Sequence, residues 1–413
     1  MIAAGGRSTG RCPFTGIINV PEPWDDFAEL RAAGVTWDEP AAGWVVPDYV
    51  GVKQVFADEA RFTKPVRFRE IWGRSHLSSL DGEEHKRVRR WWQRIFTPKQ
   101  AEAWRTALVR PVVAGTLDRF VDRGAADLVE DYARQVPIRV IAAIVGLPWR
   151  DDEWLEEYRH HNDMIQNYMF ANPFAADGEE LARALRSRAR MNEMLSPYVE
   201  ARRDAPTDDI ISRLWIDGPE LLPGWSEDDV FDTVRNIFFG GTDTTKHALC
   251  NALVLLLRNP DLEARLRQDG KEVLDRFVEE SLRLNGLVQF RARIAAEETV
   301  IGDRAVGKGD TVYAVLASGN RDPAHYERPD EVDLERRSPR DHVAFGFGPT
   351  TCLGAPLARV ELQEMLVQLL DRATDIKLVD GAEPQFQPGH LRSYAPLPVT
   401  FTPTSAPAGT SGF

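Results

Sequence analysis

The sequence predicts a mainly α-helical chain with a small β-rich part, and three observations predict it. Helical patterns run over long stretches: Glu83 to Arg94, 124–147, Asp151 to Tyr198 and Ser226 to Arg258. Strand-like runs are short and stand apart, at Trp44-Val45-Val46, at 311–317 and at 384–403. No linker-like shift in composition divides the 413 residues, so one large domain over 21–403 is expected, flanked by an irregular Gly-rich segment 1–20 and a flexible tail 404–413.

Taken in order, Trp44-Val45-Val46 reads as a strand and Asp48 to Phe56 as a short helix. Lys64 to Leu80 loses periodicity and carries Ile71, Trp72, Arg67, Arg69 and Arg74, arginines that read singly as solvated side chains. The helix from Glu83 to Arg94 has an acidic start and a basic body, ends near Thr97-Pro98, and places His85 and Arg89 four apart on one face. Residues 124–147 read as a core helix ending at Gly146 and Pro148. Asp151 to Tyr198 reads as two amphipathic helices broken at Ala171-Asn172-Pro173, with Met164, Ile165, Tyr168 and Met169 available for an apolar roof. The adjacent His160 and His161 diverge by about 100° on a helix and are expected to share no metal.

Ser226 with Asp229 resembles a capping box opening a helix to Arg258, about 32 residues and about 48 Å long. Its middle is unusual for a helix. Gly240-Gly241 costs roughly 1 kcal/mol per glycine, and the threonines of Thr242-Asp243-Thr244-Thr245 can bond back to the preceding turn and bend it. A glycine-mediated helix crossing accounts for the glycines but not for the polar cluster. Glu280 and Arg283 lie three apart on a later helix and can pair locally.

A formal charge of −13 (51 Lys and Arg against 64 Asp and Glu) argues against a nucleic-acid binder. Three dispersed cysteines, Cys12, Cys250 and Cys352, point to a reducing compartment, and no apolar run is long enough to span a bilayer. A soluble cytoplasmic protein is expected.

The most informative stretch is Phe345 to Gly354. Gly346, Gly348 and Gly354 permit positive φ and close backbone approach around Cys352, which stands just before an apolar-periodic run from Ala355 to Leu370. A helix N-terminus favours a thiolate ligand there, while a buried free cysteine after a turn fits the same residues.

Phe345-Gly-x-Gly-x-x-x-Cys352-x-Gly354 resembles the haem-ligand loop of the cytochrome P450 superfamily. Gly240 to Thr245, Glu280-Ser281-Leu282-Arg283, and His85 with Arg89 match further motifs of that family in the expected order, so the likeness spans roughly residues 20–403. It implies a triangular helical prism with a long central helix and one haem b whose iron is ligated by Cys352. Phe345, Gly346, Thr350, Gly354, Gly240 and Gly241 would lie around the haem. His85, Arg89 and Arg293 would hold its propionates. Many members carry His or Arg where this chain has Thr350, which donates a hydrogen bond without charge; His342 is a candidate to compensate.

Gly240 and Gly241 would make room for dioxygen, with Thr244 offering its hydroxyl to oxygen activation and Asp243 relaying protons. Asn236, Phe239, Val288, Gln289 and Phe290 would line the substrate pocket, and the segment 64–80 would cover it. The helix pair 151–198 would form its lid. Glu280 and Arg283 would brace the fold with Arg336. The implied activity is C–H hydroxylation of a medium-sized apolar molecule, a terpenoid, aromatic or secondary-metabolite intermediate, by a monomer using dioxygen. Electrons would come from a separate ferredoxin and ferredoxin reductase, docking on basic residues such as Lys86, Arg87, Arg90 and Arg94. Alternatives are a peroxygenase, an oxidase that couples or desaturates, a haem sensor, or a haem-free interaction protein. Asp243-Thr244 favours dioxygen over peroxide.

Overall fold

The computed structural model describes residues 14–170 and 178–404. The chain opens with α1 (Phe14–Ile17), α2 (Trp24–Ala33), β1 (Thr36–Asp38), β2 (Gly43–Val46), α3 (Tyr49–Ala57), β3 (Phe62–Thr63) and α4 (Arg67–Trp72). The helical body follows as α5 (Gly82–Ile95), α6 (Pro98–Trp104), α7 (Arg110–Leu117), the short β4 (Ala125–Asp127), α8 (Gln135–Val145), α9 (Asp152–Phe170), α10 (Gly178–Asp204) and α11 (Ile210–Leu221). Next come α12 (Glu227–Gly241), α13 (Asp243–Leu257), α14 (Pro260–Asp269) and α15 (Lys271–Leu284). The chain then runs through β5 (Arg291–Ala295), β6 (Thr299–Ile301), β7 (Arg304–Val306), β8 (Thr311–Ala314), α16 (Leu316–Gly319), α17 (Ala355–Arg372), β9 (Ala373–Leu378), β10 (Phe386–Gln387), β11 (Ser393–Tyr394) and β12 (Pro398–Pro403). The fold is mainly helical, as the periodicities require.

The largest sheet has the order β1-β2-β8-β5-β3, with only β2 and β8 parallel. A second sheet, β4-β12-β9, joins the far end of the chain to the helical body. Helix α13 lies among α8, α15 and α17, and Val140, Leu249, Phe277 and Met365 are fully buried in the core these helices share. Asp48 caps α3 by accepting from the Gly51 N–H at 2.7 Å, and Ser226 with Asp229 forms the expected capping box on α12. Gly146 closes α8 in the left-handed region at φ +100°, as its position predicts.

Four expectations need correction. Residues 14–20 are not irregular: Phe14 and Ile17 are fully buried against Phe290 and Tyr313, while residues 1–13, with Cys12, lie outside the described residues. The segment 64–80 contains α4 and a 3₁₀ turn, Leu77–Ser79, because Ile71 and Trp72 are wholly buried and each contributes about 2 kcal/mol of apolar burial. Residues 124–147 open with β4 and a π-helical turn, Leu128–Ala133, before α8 begins. The run 311–317 is strand only to Ala314 and then turns into α16, which packs on α3. The break expected at Ala171-Asn172-Pro173, between α9 and α10, lies outside the described residues.

Candidate functional site

Cys352 sits between the 3₁₀ turn Gly348–Thr350 and the first residue of α17. The turn is closed by the Cys352 N–H donating to the Phe345 carbonyl at 2.7 Å and by Gly346 N–H donating to Val343 at 2.8 Å. Gly346 and Gly348 take φ values of +74° and +64°, which a side chain at either position would strain. The Cys352 side chain is open only inward, to a cavity of about 510 Å³ lined by segments from both ends of the chain. Burial raises the pKa of its thiol, while the Gly354 N–H and the nearby Arg291, Arg89 and Arg359 pull the other way. Burial prevails over the helix N-terminus, so the thiolate expected here needs a bound metal to hold it.

The same cavity reaches the junction of α12 and α13. The helix expected to run to Arg258 with a bend at Gly240 to Thr245 is interrupted there, at Thr242, with φ −94° and ψ −77°. The Thr242 hydroxyl donates to the Phe238 carbonyl at 2.8 Å, and that of Thr244 to the Gly240 carbonyl at 2.5 Å. These are the back-bonds that bend a helix. The two glycines divide the work. A Cβ on Gly240 would meet nothing within 4 Å, whereas one on Gly241 would lie 2.4 Å from Ile141 Cδ1. Gly240 therefore leaves open space, and Gly241 is the close crossing of α12 over α8.

Thr244 lines the cavity and Asp243 does not. The Asp243 carboxylate is buried, pairs with Lys246, and accepts from Asn162 Nδ2 at 3.1 Å and from Gln166 Nε2. Burial opposes its ionisation, but Lys246 and His247 outweigh that and hold its pKa below the usual carboxylate range. On its other side it lines a cleft of about 10 Å³, room for about one water. Gln166, which does line the cavity, connects the two sides.

Cationic side chains gather around the opposite wall. Lys64, Arg89, Arg291 and Arg293 line the cavity, and Glu361 is the one carboxyl that does so among the described residues. Burial holds the Glu361 pKa well above the usual range, so it stays neutral. Arg89 donates to the Thr351 carbonyl, and Arg293 to the Ala292 carbonyl at 2.9 Å and to Thr350 Oγ1 at 3.3 Å. His85 is buried with Nδ1 2.8 Å from a Glu59 carboxylate oxygen but out of hydrogen-bond alignment. Burial and the charges of Lys64, Arg89 and Arg293 push its pKa down to about 3. His85 is therefore neutral in this arrangement, and an anionic propionate beside it would raise its pKa again. His342 cannot compensate for Thr350, because it faces away and pairs with Glu279 at 3.0 Å. Lys64 and Arg291 carried no motif, and only their direction in the fold reveals them.

Of the expected pocket residues, Asn236, Phe239, Val288 and Phe290 line the cavity. Gln289 does not: its Nε2 donates to the carbonyls of Ile18 at 2.6 Å and Gly389 at 2.8 Å on the opposite face. Met164, Ile165, Tyr168 and Met169 also lie outside the lining, and among the described side chains of α9 Gln166 alone reaches it. Phe239 packs on Trp72, ring centroids 4.3 Å apart. Arg74 forks onto Asp229 at 2.8 and 2.7 Å, outside the cavity. Away from the cavity, Arg283 forks onto Glu280 at 2.8 and 2.9 Å and Arg336 reaches the same carboxylate at 2.9 Å.

Residues 37–374 match the family model described as Cytochrome P450. The chain is a cytochrome P450. It is 33% identical over 385 residues to cytochrome P450-SU2 of Streptomyces griseolus, covering 89% of this chain and 88% of that one. It is 31% identical over 398 residues to the cytochrome P450 monooxygenase PikC of Streptomyces venezuelae, covering 92% and 91%. A solved structure of P450BioI, in complex with an acyl carrier protein ligated to hexadec-9Z-enoic acid, superimposes with a TM-score of 0.84 at 26% identity, covering 94% of this chain and 99% of that one.

Members of this family are haem b monooxygenases, and the cavity fits that group. An inward-facing thiol at the head of α17 supplies a ligand, and Arg89 and Arg293 against one neutral carboxyl leave positive charge to meet two propionates, Lys64 being paired with Asp81 at 3.2 Å. The described residues hold no cluster of three or more metal-ligating side chains that would offer another metal site. No helix among them is long and apolar enough to cross a membrane.

Proposed function

We propose that this cytochrome P450 hydroxylates a C–H bond of a medium-sized, mostly apolar small molecule in the cytoplasm, using electrons from a separate ferredoxin and ferredoxin reductase. The observation that carries the reading is one cavity of about 510 Å³ lined both by Cys352 and by the Gly240-to-Thr244 bend. Haem bound there supplies dioxygen activation, with the cysteine thiolate donating electron density to its iron. The chain's own groups do the rest. Arg89, Arg293 and His85 hold the propionate edge, and Lys64, paired with Asp81 at 3.2 Å, lies beside them. Gly240 keeps a groove free of side chains.

Because the Thr244 hydroxyl donates its proton to the Gly240 carbonyl, its lone pairs are turned to accept from a protonated group or water in the cavity. Asp243 stands between the outer cleft and Gln166, so a proton entering from solvent meets the carboxylate first and the cavity second. Phe239, Val288 and Phe290 exclude water and orient the apolar body. The deciding experiment is the visible spectrum of the reduced, carbon-monoxide-treated protein, wild type beside Cys352→Ser. A red-shifted thiolate-type Soret band that disappears in the variant is expected; a histidine-type band in wild type sinks the reading.

A further inference from the structure

Nearly every deeply buried arginine outside the cavity is matched to a carboxylate. Arg235 has Asp232, Arg283 has Glu280 and Arg321 has Asp330 at 2.6 Å. Arg291 is the contrast. It lines the cavity, and among the described residues its guanidinium donates from Nη1 to His390 Nε2 at 3.3 Å. Burial pushes its pKa down to about 10, and among the described residues Cys352, rather than an Asp or Glu, opposes that. Arg293, pushed equally far, has Asp81 and Glu59 in electrostatic range and repels Arg291. With Arg89 and Arg293 facing the two propionates, Arg291 is the cavity arginine among the described residues left to meet a further counter-charge in this low-dielectric space.

Strand geometry separates the two arginines. At positions i and i+2 of β5 they share one side of the pleat but stand about 7 Å apart. Arg293 faces Thr350 and the cysteine loop. Arg291 is displaced toward Phe290 and His390, where the chain is stitched by Gln289 N–H donating to the His390 carbonyl at 3.1 Å, Arg392 N–H to Leu287 at 2.6 Å, and a bridge between Val288 and Leu391. This wall carries the substrate-side residues, and its backbone clamp fixes the histidine that orients the guanidinium.

We propose that Arg291, steered by His390, anchors the carboxylate of an otherwise apolar organic acid, so that the substrate class is a hydrophobic carboxylic acid. A guanidinium fork matches a carboxylate with two parallel hydrogen bonds, and a single cation balances a monoanion rather than a doubly charged phosphate. Val288, Phe290, Tyr313 and Leu391 give the apolar body its surface. The proposal rests on the monooxygenase reading and names the substrate of that same site.

Calorimetric titration of the haem-loaded protein with dodecanoic acid and with methyl dodecanoate tests it, because this reads binding and not turnover. Wild type is expected to prefer the acid by about tenfold or more, and Arg291→Gln to lose acid affinity by about 10- to 100-fold while ester affinity holds. Arg291→Lys, which keeps the charge and loses the fork, is expected to fall between them, with the haem-to-protein ratio equal in all three. Equal binding of acid and ester by wild type overturns the anchor. So does loss of haem from Arg291→Gln with the acid preference intact, which would make Arg291 a propionate partner. An acid preference in a protein that yields no oxidised product supports the anchor and removes the monooxygenase reading alone.

Discussion

The Thr244 hydroxyl is occupied as a donor and open as an acceptor, so its part in catalysis is decided by lone pairs rather than by its proton. Thr244→Ala removes that acceptor without touching the glycines. Product formed per reducing equivalent is expected to fall by about 10²-fold, the low end for a positioned proton-relay group, while the carbon monoxide spectrum stays unchanged. The adjoining glycines separate in a different assay. Gly241→Ala would drive a methyl into Ile141 and is expected to destabilise the fold by about 1–3 kcal/mol in urea melts, less than additively with Ile141→Ala. Gly240→Ala meets nothing and gains helix propensity, so stability should hold or rise by up to about 1 kcal/mol while turnover drops as the groove fills. Equal melting midpoints for the two variants would refute this division.

Between elements, the tightest fastening around the cysteine loop is Glu279 on α15. Arg359 of α17 forks onto it at 2.6 and 3.0 Å, and His342 reaches it at 3.0 Å. Burial opposes its charge, but these two partners outweigh burial and hold its pKa at about 2. A carboxyl depressed from an ordinary 4.5 to about 2 gives stability that is present above pH 4.5 and is lost as pH falls toward 2. Glu279→Gln is therefore expected to cost on the order of 3 kcal/mol at pH 7, with the difference from wild type closing below about pH 4. Chemical denaturation at pH 7 and pH 3 measures it. A gap of constant size across that range would show that packing, not charge, joins α15 to α17.

Across the whole molecule, legibility followed how local each feature is. Cys352 and its glycines, the Thr242-to-Thr245 bend, the capping box at Ser226 and the closing Gly146 are fixed by residues a few positions apart, and the sequence spells them out. Arg291, Lys64 and the inward turn of Gln166 depend on which face of an element meets a distant one. Gln289 shows a signal that could have been used: flanked by inward Val288 and Phe290, it had to point outward by strand alternation. His342 was misjudged because Glu279, its partner, lies 63 residues away in sequence. The surplus cations predict that haem binding raises the melting temperature by several degrees, which calorimetry of the protein before and after reconstitution will check.

The buried turn at Phe14–Ile17 has a practical reach. Its Phe14 ring stacks edge-on against Phe290 at 5.1 Å, and the neighbouring Ile18 carbonyl holds Gln289, so the residues just behind the pocket wall come from the first twenty of the chain. Removing the residues before Pro21 would take away the backing of that wall. Directed evolution of selectivity should include positions 14 to 18, which no inventory of pocket-lining residues would contain.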